Sequence, residues 1–218
     1  MSGSNPLNSA QLADSAIPSG ADPYALFEEW FTLARTSEPN DSNAMALATA
    51  TADGRPSVRM VLLKGHGAGE REGGGFTFFT NAESRKGEQI RSNMHAALLF
   101  HWKSLRRQVR IEGSLEEVSA ERADDYFHSR AFVSQVGSAA SDQSRTMPDR
   151  QTYIDRVETL HAQHEAAGEV PRPAHWTGFT LSPERIEFWM DRANRLHDRR
   201  LFIREGDGSG WSDSLLYP

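Results

Sequence analysis

The run Arg195-Leu196-His197-Asp198-Arg199 places two guanidiniums, an imidazole and a carboxylate within five residues, just behind a Phe188-Trp189 pair. Neither amphipathic-helix nor core-strand patterning accounts for it. In an extended chain the side chains alternate with period two, so Arg195, His197 and Arg199 would share one face. That face suits a planar, phosphorylated or anionic ligand, because Arg offers a rigid donor fork and His can exchange a proton near neutrality. A solvated edge strand fits the same residues, since charge clusters commonly lie on exposed faces.

Three more clusters have the types and spacing for chemistry. Thr80-Asn81-Ala82-Glu83-Ser84-Arg85-Lys86 reads as a strand end running into a helix capped by Ser84. Amides at a helix N-terminus attract anions, yet Arg85 and Lys86 oppose the usual dipole preference for acidic residues there. A bound phosphate would resolve this: charge-assisted hydrogen bonds contribute about 1.5 to 3 kcal/mol each, against a dipole penalty of about 0.3 to 1. Arg59-Met60-Val61-Leu62-Leu63-Lys64 is an apolar strand with a cation at each end, delivering charge to a sheet rim or guarding an edge against aggregation. Tyr126 and Arg130, four apart on a helix, could hold one anion together, with Ser134 adding a hydroxyl and Gln143-Ser144 following. A helix end where Arg130 answers the C-terminal dipole fits equally well.

The elements that must position these groups follow from local patterning. Residues 1–21 are rich in Ser, Gly, Asn, Ala and Pro without periodicity, which predicts a mobile tail. Asp22-Pro23 supplies an N-cap and a first-turn proline, and Leu26, Phe27, Trp30, Phe31 and Ala34 follow at helical spacing. Short β-type runs come next. Residues 45–50 and 57–64 flank Asp53-Gly54 as a hairpin, a Gly-rich connection spans 65–75, and strands are expected at 76–80, 96–102 and 108–117. Ser84, Ser119 and Asp149 mark helix starts, and strands return at 177–181, 185–190 and 199–204. The order is α+β with a mostly antiparallel sheet, and residues 22–218 read as one domain.

Composition narrows the function classes. The 218 residues include no cysteine, which removes disulfides, thiolate metal sites and cysteine nucleophiles. A net charge of -6 argues against general nucleic-acid binding. No apolar run reaches the length of a membrane span, and the N-terminus lacks an export pattern, so a cytoplasmic protein is expected. His161 and His164 find no third partner in sequence, and no metal site is proposed. There is no G-x-G-x-x-G after a strand and no Walker loop.

The motifs in order are RMVLLK at 59–64, FTNAESRK at 79–86, RRQVRIEG at 106–113, YFHSR at 126–130, DQS at 142–144, and EFW at 187–189 followed by RLHDR at 195–199. Together they resemble the pyridoxamine 5'-phosphate oxidase family, over roughly residue 22 to the C-terminus. The resemblance implies a split β-barrel with peripheral helices that binds FMN and works as a homodimer, each flavin at the subunit interface. It implies oxidation of pyridoxamine or pyridoxine 5'-phosphate to pyridoxal 5'-phosphate, with O2 as acceptor giving hydrogen peroxide. By motif, Arg59, Met60, Val61, Leu62, Leu63, Lys64, Phe79, Thr80, Ser84, Arg85, Lys86, Gln108, Gln143, Ser144, Trp189 and Arg199 would meet FMN. Lys64, Tyr126, Arg130 and Ser134 would meet the substrate phosphate, and Arg195, Leu196 and His197 its ring, with Arg195 and His197 as the catalytic pair.

Departures from the pattern mark this chain. Phe79 stands where family members often have Tyr, the segment after Arg130 lacks a common proline and tryptophan, and the ending SLLYP differs from Arg-Leu-x-Pro. The basic N-terminal cover of some members has no match in residues 1–21. Two other readings are a phenazine-type flavin oxidase and a non-catalytic carrier of FMN or pyridoxal phosphate. The Tyr126, Arg130 and Ser134 trio speaks against the phenazine-type reading, since a substrate without phosphate would leave it unused.

Overall fold

The computed structural model describes residues 17–70, 74–206, 208 and 210–218. Its first helix, α1 (Pro23–Ser37), starts as the Asp22-Pro23 signal dictates. The Asp22 carboxylate accepts from the Tyr24 amide at 2.9 Å, satisfying a donor that the helix leaves orphaned. Leu26, Phe27, Trp30, Phe31 and Ala34 are all buried along one stripe. Phe27 meets Phe76 edge-on at 4.9 Å and Phe100 at 5.1 Å, while Trp30 meets Phe188 at 5.1 Å. The helix is thus fastened to three strands, and truncating any one of these rings would cost about 3 to 5 kcal/mol.

Those strands belong to one antiparallel sheet. Among the described residues it contains β1 (Ala44–Ala50), β2 (Pro56–Leu62), β3 (Gly65–Gly67), β4 (Gly75–Asn81), β5 (His95–Trp102), β6 (Arg107–Glu117), β7 (Trp176–Met190), β8 (Asp198–Arg204) and β9 (Trp211–Leu215). The order is β2-β1-β5-β6-β7-β4-β3, with β8 pairing β7 and β9 pairing β8. Four further helices, α2 (Arg85–Ser92), α3 (Ala120–His128), α4 (Phe132–Ala139) and α5 (Arg150–His164), punctuate the chain between strands. The sheet curls around an apolar interior that includes Phe78, Phe100, Ile111, Ile186, Phe188 and Phe202, and a second cluster of Phe127, Val136, Val170 and Trp176 sits beneath α3 and α4. This is the α+β split-barrel architecture expected from the sequence.

The fifteen-residue β7 organises the rest. Its first half pairs β4, from Phe76 with Leu181 to Asn81 with Trp176, and its second half pairs β8, from Arg185 with Ile203 to Met190 with Asp198. β6 runs along it, with a register shift between Glu112 and Gly113 opposite Pro183. A Cβ on Gly113 would lie 1.9 Å from the Ser182 carbonyl oxygen, so only glycine fits that bulge. The sequence pattern predicts two strands here because Pro183 interrupts it. At a bulge, proline's missing N–H costs no ladder bond, and the strand continues through.

Other expectations are corrected by the structure. Residues 1–16 lie outside the described residues, but the rest of the predicted tail is held. Ile17 is fully buried, its carbonyl accepts from Arg200 Nε at 2.9 Å, and the Gly20 amide donates to Asp213 at 2.8 Å. The Gly-rich connection is not wholly irregular, since Gly65–Gly67 pairs with residues 75–77. α4 and β9 carry no clear sequence signal. α4 begins at Ala131 with no side-chain cap, and β9 is a short, largely polar edge strand. The residues 195–199 are not extended throughout: Ala193–Arg195 forms a 3-10 turn with Asn194 at φ 57 and Arg195 at φ 63. Period-two alternation therefore starts only at Asp198, and Arg195, His197 and Arg199 do not share a strand face.

Candidate functional site

The larger cavity, about 540 Å³, opens where β2, the end of β4, and helices α3 and α4 converge. Its aromatic wall is a stack: the Phe79 ring lies 4.1 Å from Tyr126 and 5.4 Å from Trp176, both nearly parallel. Phe79 pairs across the sheet with Gly178, where a Cβ would come within 2.7 Å of the ring, so glycine there leaves the stack its room. The Arg130 guanidinium sits 5.1 Å over Trp176, and the Lys64 ammonium 5.8 Å from Tyr126. Burial lowers the proton affinity of Arg130. Ser134, Gly137, Ser138 and Ser141 supply the small polar lining, and the Tyr153 hydroxyl braces α4 by donating to the Gly137 carbonyl at 2.9 Å.

Toward the α2 side the cavity meets a second group of cations. Ser84 caps α2, accepting from the Gly87 amide and donating to the Asn81 carbonyl at 2.6 Å. Lys86 points into the cavity and donates to Gln143 Oε1 at 2.5 Å and to Ser84 Oγ at 3.2 Å. Burial, with help from the nearby Arg59 charge, pulls the Lys86 ammonium down to about 8. Arg59 is lowered too, by burial and then by Arg85. Three mutually repelling cations thus gather at a helix N-terminus, and none has a carboxylate within ion-pair distance among the described residues. An anion placed there would relieve the repulsion and raise the proton affinity of Lys86 again.

A second, smaller cavity of about 290 Å³ lies elsewhere on the sheet, and shares no lining residue with the first. Register explains it: Gln108 is opposite Trp189, and Trp189 opposite Arg199, so these three form one row across β6, β7 and β8. Behind them Glu187, buried to 6 % exposure, accepts a hydrogen bond from Arg199 Nε at 2.7 Å and forms an ion pair with Arg110 Nη2 at 2.7 Å. That carboxylate raises the proton affinity of Arg199. The Tyr217 carbonyl accepts from Arg199 Nη1 at 2.9 Å, leaving the remaining donors of the fork for the cavity. His197 lies beside the same row, its ring 4.7 Å from Trp189 and its Nδ1 2.9 Å from Asp191 Oδ1.

The sequence-derived site residues therefore divide. Met60, Val61, Leu62, Lys64, Phe79, Thr80, Lys86, Tyr126, Arg130, Ser134 and Gln143 line the larger cavity, and Gln108, Trp189 and Arg199 the smaller. Several side chains go elsewhere. Leu63 is buried in the core, because the chain leaves β2 at Leu62 and turns inward. Arg59 turns onto β1, donating to the Leu47 carbonyl at 2.8 Å and Thr49 Oγ1 at 2.7 Å. Arg85 and Ser144 are exposed, the latter at φ 74, and Ser84 is occupied as a helix cap. Arg195 and Leu196 are exposed on the turn before β8. Sequence reasoning missed Trp176, Ser138, Tyr153, Arg110 and Glu187. Arg110 and Glu187 lay inside the motifs RRQVRIEG and EFW without an assigned role, and Trp176 directly precedes an expected strand.

A family profile described as pyridoxamine 5'-phosphate oxidase matches residues 34–164, and one described as the pyridoxine 5'-phosphate oxidase C-terminal dimerisation region matches 176–218. The pyridoxine/pyridoxamine 5'-phosphate oxidase of Novosphingobium aromaticivorans is 61% identical over 97% of this chain and 100% of its own length. That of Erythrobacter litoralis is 62% identical over 95% of each. Among solved structures, PhzG from Burkholderia lata 383, in complex with tetrahydrophenazine-1-carboxylic acid, superposes with a TM-score of 0.83 at 30% identity, covering 95% of this chain and 96% of that one. An FMN-binding protein from Nostoc punctiforme shares the fold, with a TM-score of 0.70 at 17% identity over 91% and 99%.

Proposed function

The chain belongs to the pyridoxamine 5'-phosphate oxidase family, and from that premise we propose that it oxidises pyridoxamine and pyridoxine 5'-phosphates to pyridoxal 5'-phosphate with O2 as acceptor. The observation that carries this reading is the pair of cationic ends in one cavity. Lys86, with Arg59 and Arg85 behind it, forms one end, and Lys64 and Arg130 gather at the other beside an aromatic stack. Two phosphates need two such ends. The first fits the phosphate of FMN, because its cations repel one another until an anion arrives. The second fits the substrate phosphate.

FMN, its phosphate held by Lys86 with Arg59 and Arg85 behind it, would supply the redox chemistry that couples oxidation of the substrate carbon to reduction of O2 to hydrogen peroxide. The protein's contribution is orientation and electrostatics. Arg130, Tyr126, Ser134 and Lys64 hold the substrate phosphate, the Phe79 stack limits the ring's freedom, and Arg195 with His197 covers the ring. Residues 22–218 would act as one FMN-binding unit in the cytoplasm. No helix among the described residues is long and apolar enough to cross a membrane.

We further propose that the site is completed by a second copy. The larger cavity and the Gln108-Trp189-Arg199 row share no lining residue, and within one protomer they lie on different stretches of the sheet. Between them the outer sheet face is apolar: Val58 is 68% and Met60 62% exposed, and Leu99 lies in the same row as Met60. A two-fold pairing that covers this face would set the larger cavity of one copy against the Gln108-Trp189-Arg199 row of the other. The match of residues 176–218 to a dimerisation region supports this. Light scattering that found a flavin-loaded monomer would overturn it.

A phenazine-type activity is the second reading, favoured by the likeness to PhzG. Twofold higher identity to the phosphate oxidases and the Tyr126, Arg130 and Ser134 trio weigh against it. The deciding test reconstitutes the protein with FMN, adds pyridoxine 5'-phosphate in air, and follows aldehyde and peroxide together. Equal yields of both are expected. Yellow protein producing neither would refute the oxidase reading and leave the carrier or another substrate.

A further inference from the structure

α4 turns a face of small residues to the larger cavity. Ser134, Gly137 and Ser138 are spaced i, i+3, i+4, the repeat that aligns side chains along one side of a helix. Ser134 belongs to the substrate trio described above. Ser138, one turn further on, also lines the cavity, and it holds Arg130: the guanidinium Nη1 donates to Ser138 Oγ at 2.9 Å.

Arg130 is anchored in an unusual way. Its backbone carbonyl accepts from Gln135 Nε2 at 2.9 Å, and Gln135, 2% exposed, is itself fixed by accepting from the Val170 amide at 3.0 Å. Its guanidinium rests on the faces of Trp176 and Phe127. Among the described residues no carboxylate pairs with it, so the head is located by ring faces and one hydroxyl. Ring faces fix the plane of a guanidinium but leave it free to slide and rotate within that plane. A hydrogen bond to one terminal nitrogen removes that freedom and turns the other donors of the fork toward the cavity.

We propose that Ser138 is a positioning residue that sets the Arg130 fork for the substrate phosphate, an inference that rests on the phosphate reading of this cavity. Ser138 does not compete with the phosphate for charge. A carboxylate in its place would hold Arg130 equally well and repel the ligand. A hydroxyl accepts from the guanidinium and brings no charge of its own.

The test compares flavin-loaded wild type with Ser138→Ala, Ser138→Thr and Arg130→Met, measuring kcat and KM for pyridoxine 5'-phosphate and the inhibition constant of inorganic phosphate. Ser138→Ala should raise KM and the phosphate inhibition constant together, about threefold to tenfold, the worth of one hydrogen bond, with kcat within twofold. Ser138→Thr, which keeps the hydroxyl, should restore both. Unchanged constants in Ser138→Ala beside a large rise in Arg130→Met would overturn the positioning role while leaving the phosphate site intact. Unchanged constants in Arg130→Met would remove the phosphate site and the proposal with it. A fold change in kcat alone for Ser138→Ala would also defeat it.

Discussion

Replacing Lys86 with Met should strengthen the flavin-free protein while weakening its hold on FMN. In the flavin-free state the ammonium is partly stripped of water and faces Arg59, which brings its proton affinity from the ordinary lysine value down to about 8. Each tenfold of proton affinity corresponds to about 1.4 kcal/mol, so the penalty for keeping Lys86 charged is at most about 3.5 kcal/mol. Screening at a half-buried site, and the lost bonds to Gln143 and Ser84, reduce the net gain to about 1 to 2. The sign follows from proton counting. Below pH 8 folded and unfolded chains both carry the proton and the full penalty is present. Between 8 and the ordinary lysine value the folded chain sheds it first, so stability rises with pH across that window. Lys86→Met should therefore raise the melting temperature of apoprotein at pH 7 by about 2 to 8 °C and abolish that alkaline rise. FMN affinity should fall about tenfold to 150-fold, the loss of one charge-assisted hydrogen bond. In wild type the affinity should decline as pH climbs above 8, and in the variant that decline should vanish. Scanning calorimetry of apoprotein and FMN fluorescence titrations measure both halves. A variant that melts lower without flavin, or binds FMN as tightly as wild type, would show that no anion is awaited at Lys86.

Other perturbations reach different parts of the site. Gly178→Ala should cost about 1 to 3 kcal/mol by overpacking, because the new methyl meets Phe79 at 2.7 Å and the Phe78 carbonyl at 3.0 Å; near-ultraviolet circular dichroism should report the displaced stack, and an unchanged spectrum with unchanged stability would contradict this. Glu187→Gln removes the charge between Arg110 and Arg199. Breaking a buried pair costs about 3 to 5 kcal/mol, but both guanidiniums here are partly solvated, so urea melts should show about 1 to 2. Arg195→Leu should lower turnover with FMN still bound, as read from the flavin spectrum after gel filtration; loss of flavin would sink its assigned role over the substrate ring.

How much of this was legible in the sequence depends on the range of the interaction concerned. α1 was legible because cap, proline and apolar stripe all act within a few residues. The Ser84 cap and the cations behind it were legible for the same reason, and the structure adds that Lys86 turns inward while Arg85 turns out. α4 was hidden, since it lacks a capping side chain and carries β-branched valines and a glycine; its stability comes from the small cluster of Phe127, Val136, Val170 and Trp176, which only the tertiary fold assembles. The row Gln108-Trp189-Arg199 needs strand register, and register is set by pairings between residues up to 83 positions apart in the chain. The turn at Asn194 and Arg195 defeated the alternation rule because a left-handed backbone can sit inside a charged run without glycine to announce it.

The division of the site residues between two cavities bears on genetics as well as chemistry. Under the two-copy arrangement proposed above, each working site takes its larger cavity from one chain and its Gln108-Trp189-Arg199 row from the other. A chain crippled at Arg130 and a chain crippled at Arg199 would each be inactive alone. Paired together, they place both lesions in one site and leave the second site whole. Random reassociation of equal amounts makes about half the dimers mixed, so about a quarter of all sites should recover. Two silent alleles would then complement one another inside a single enzyme.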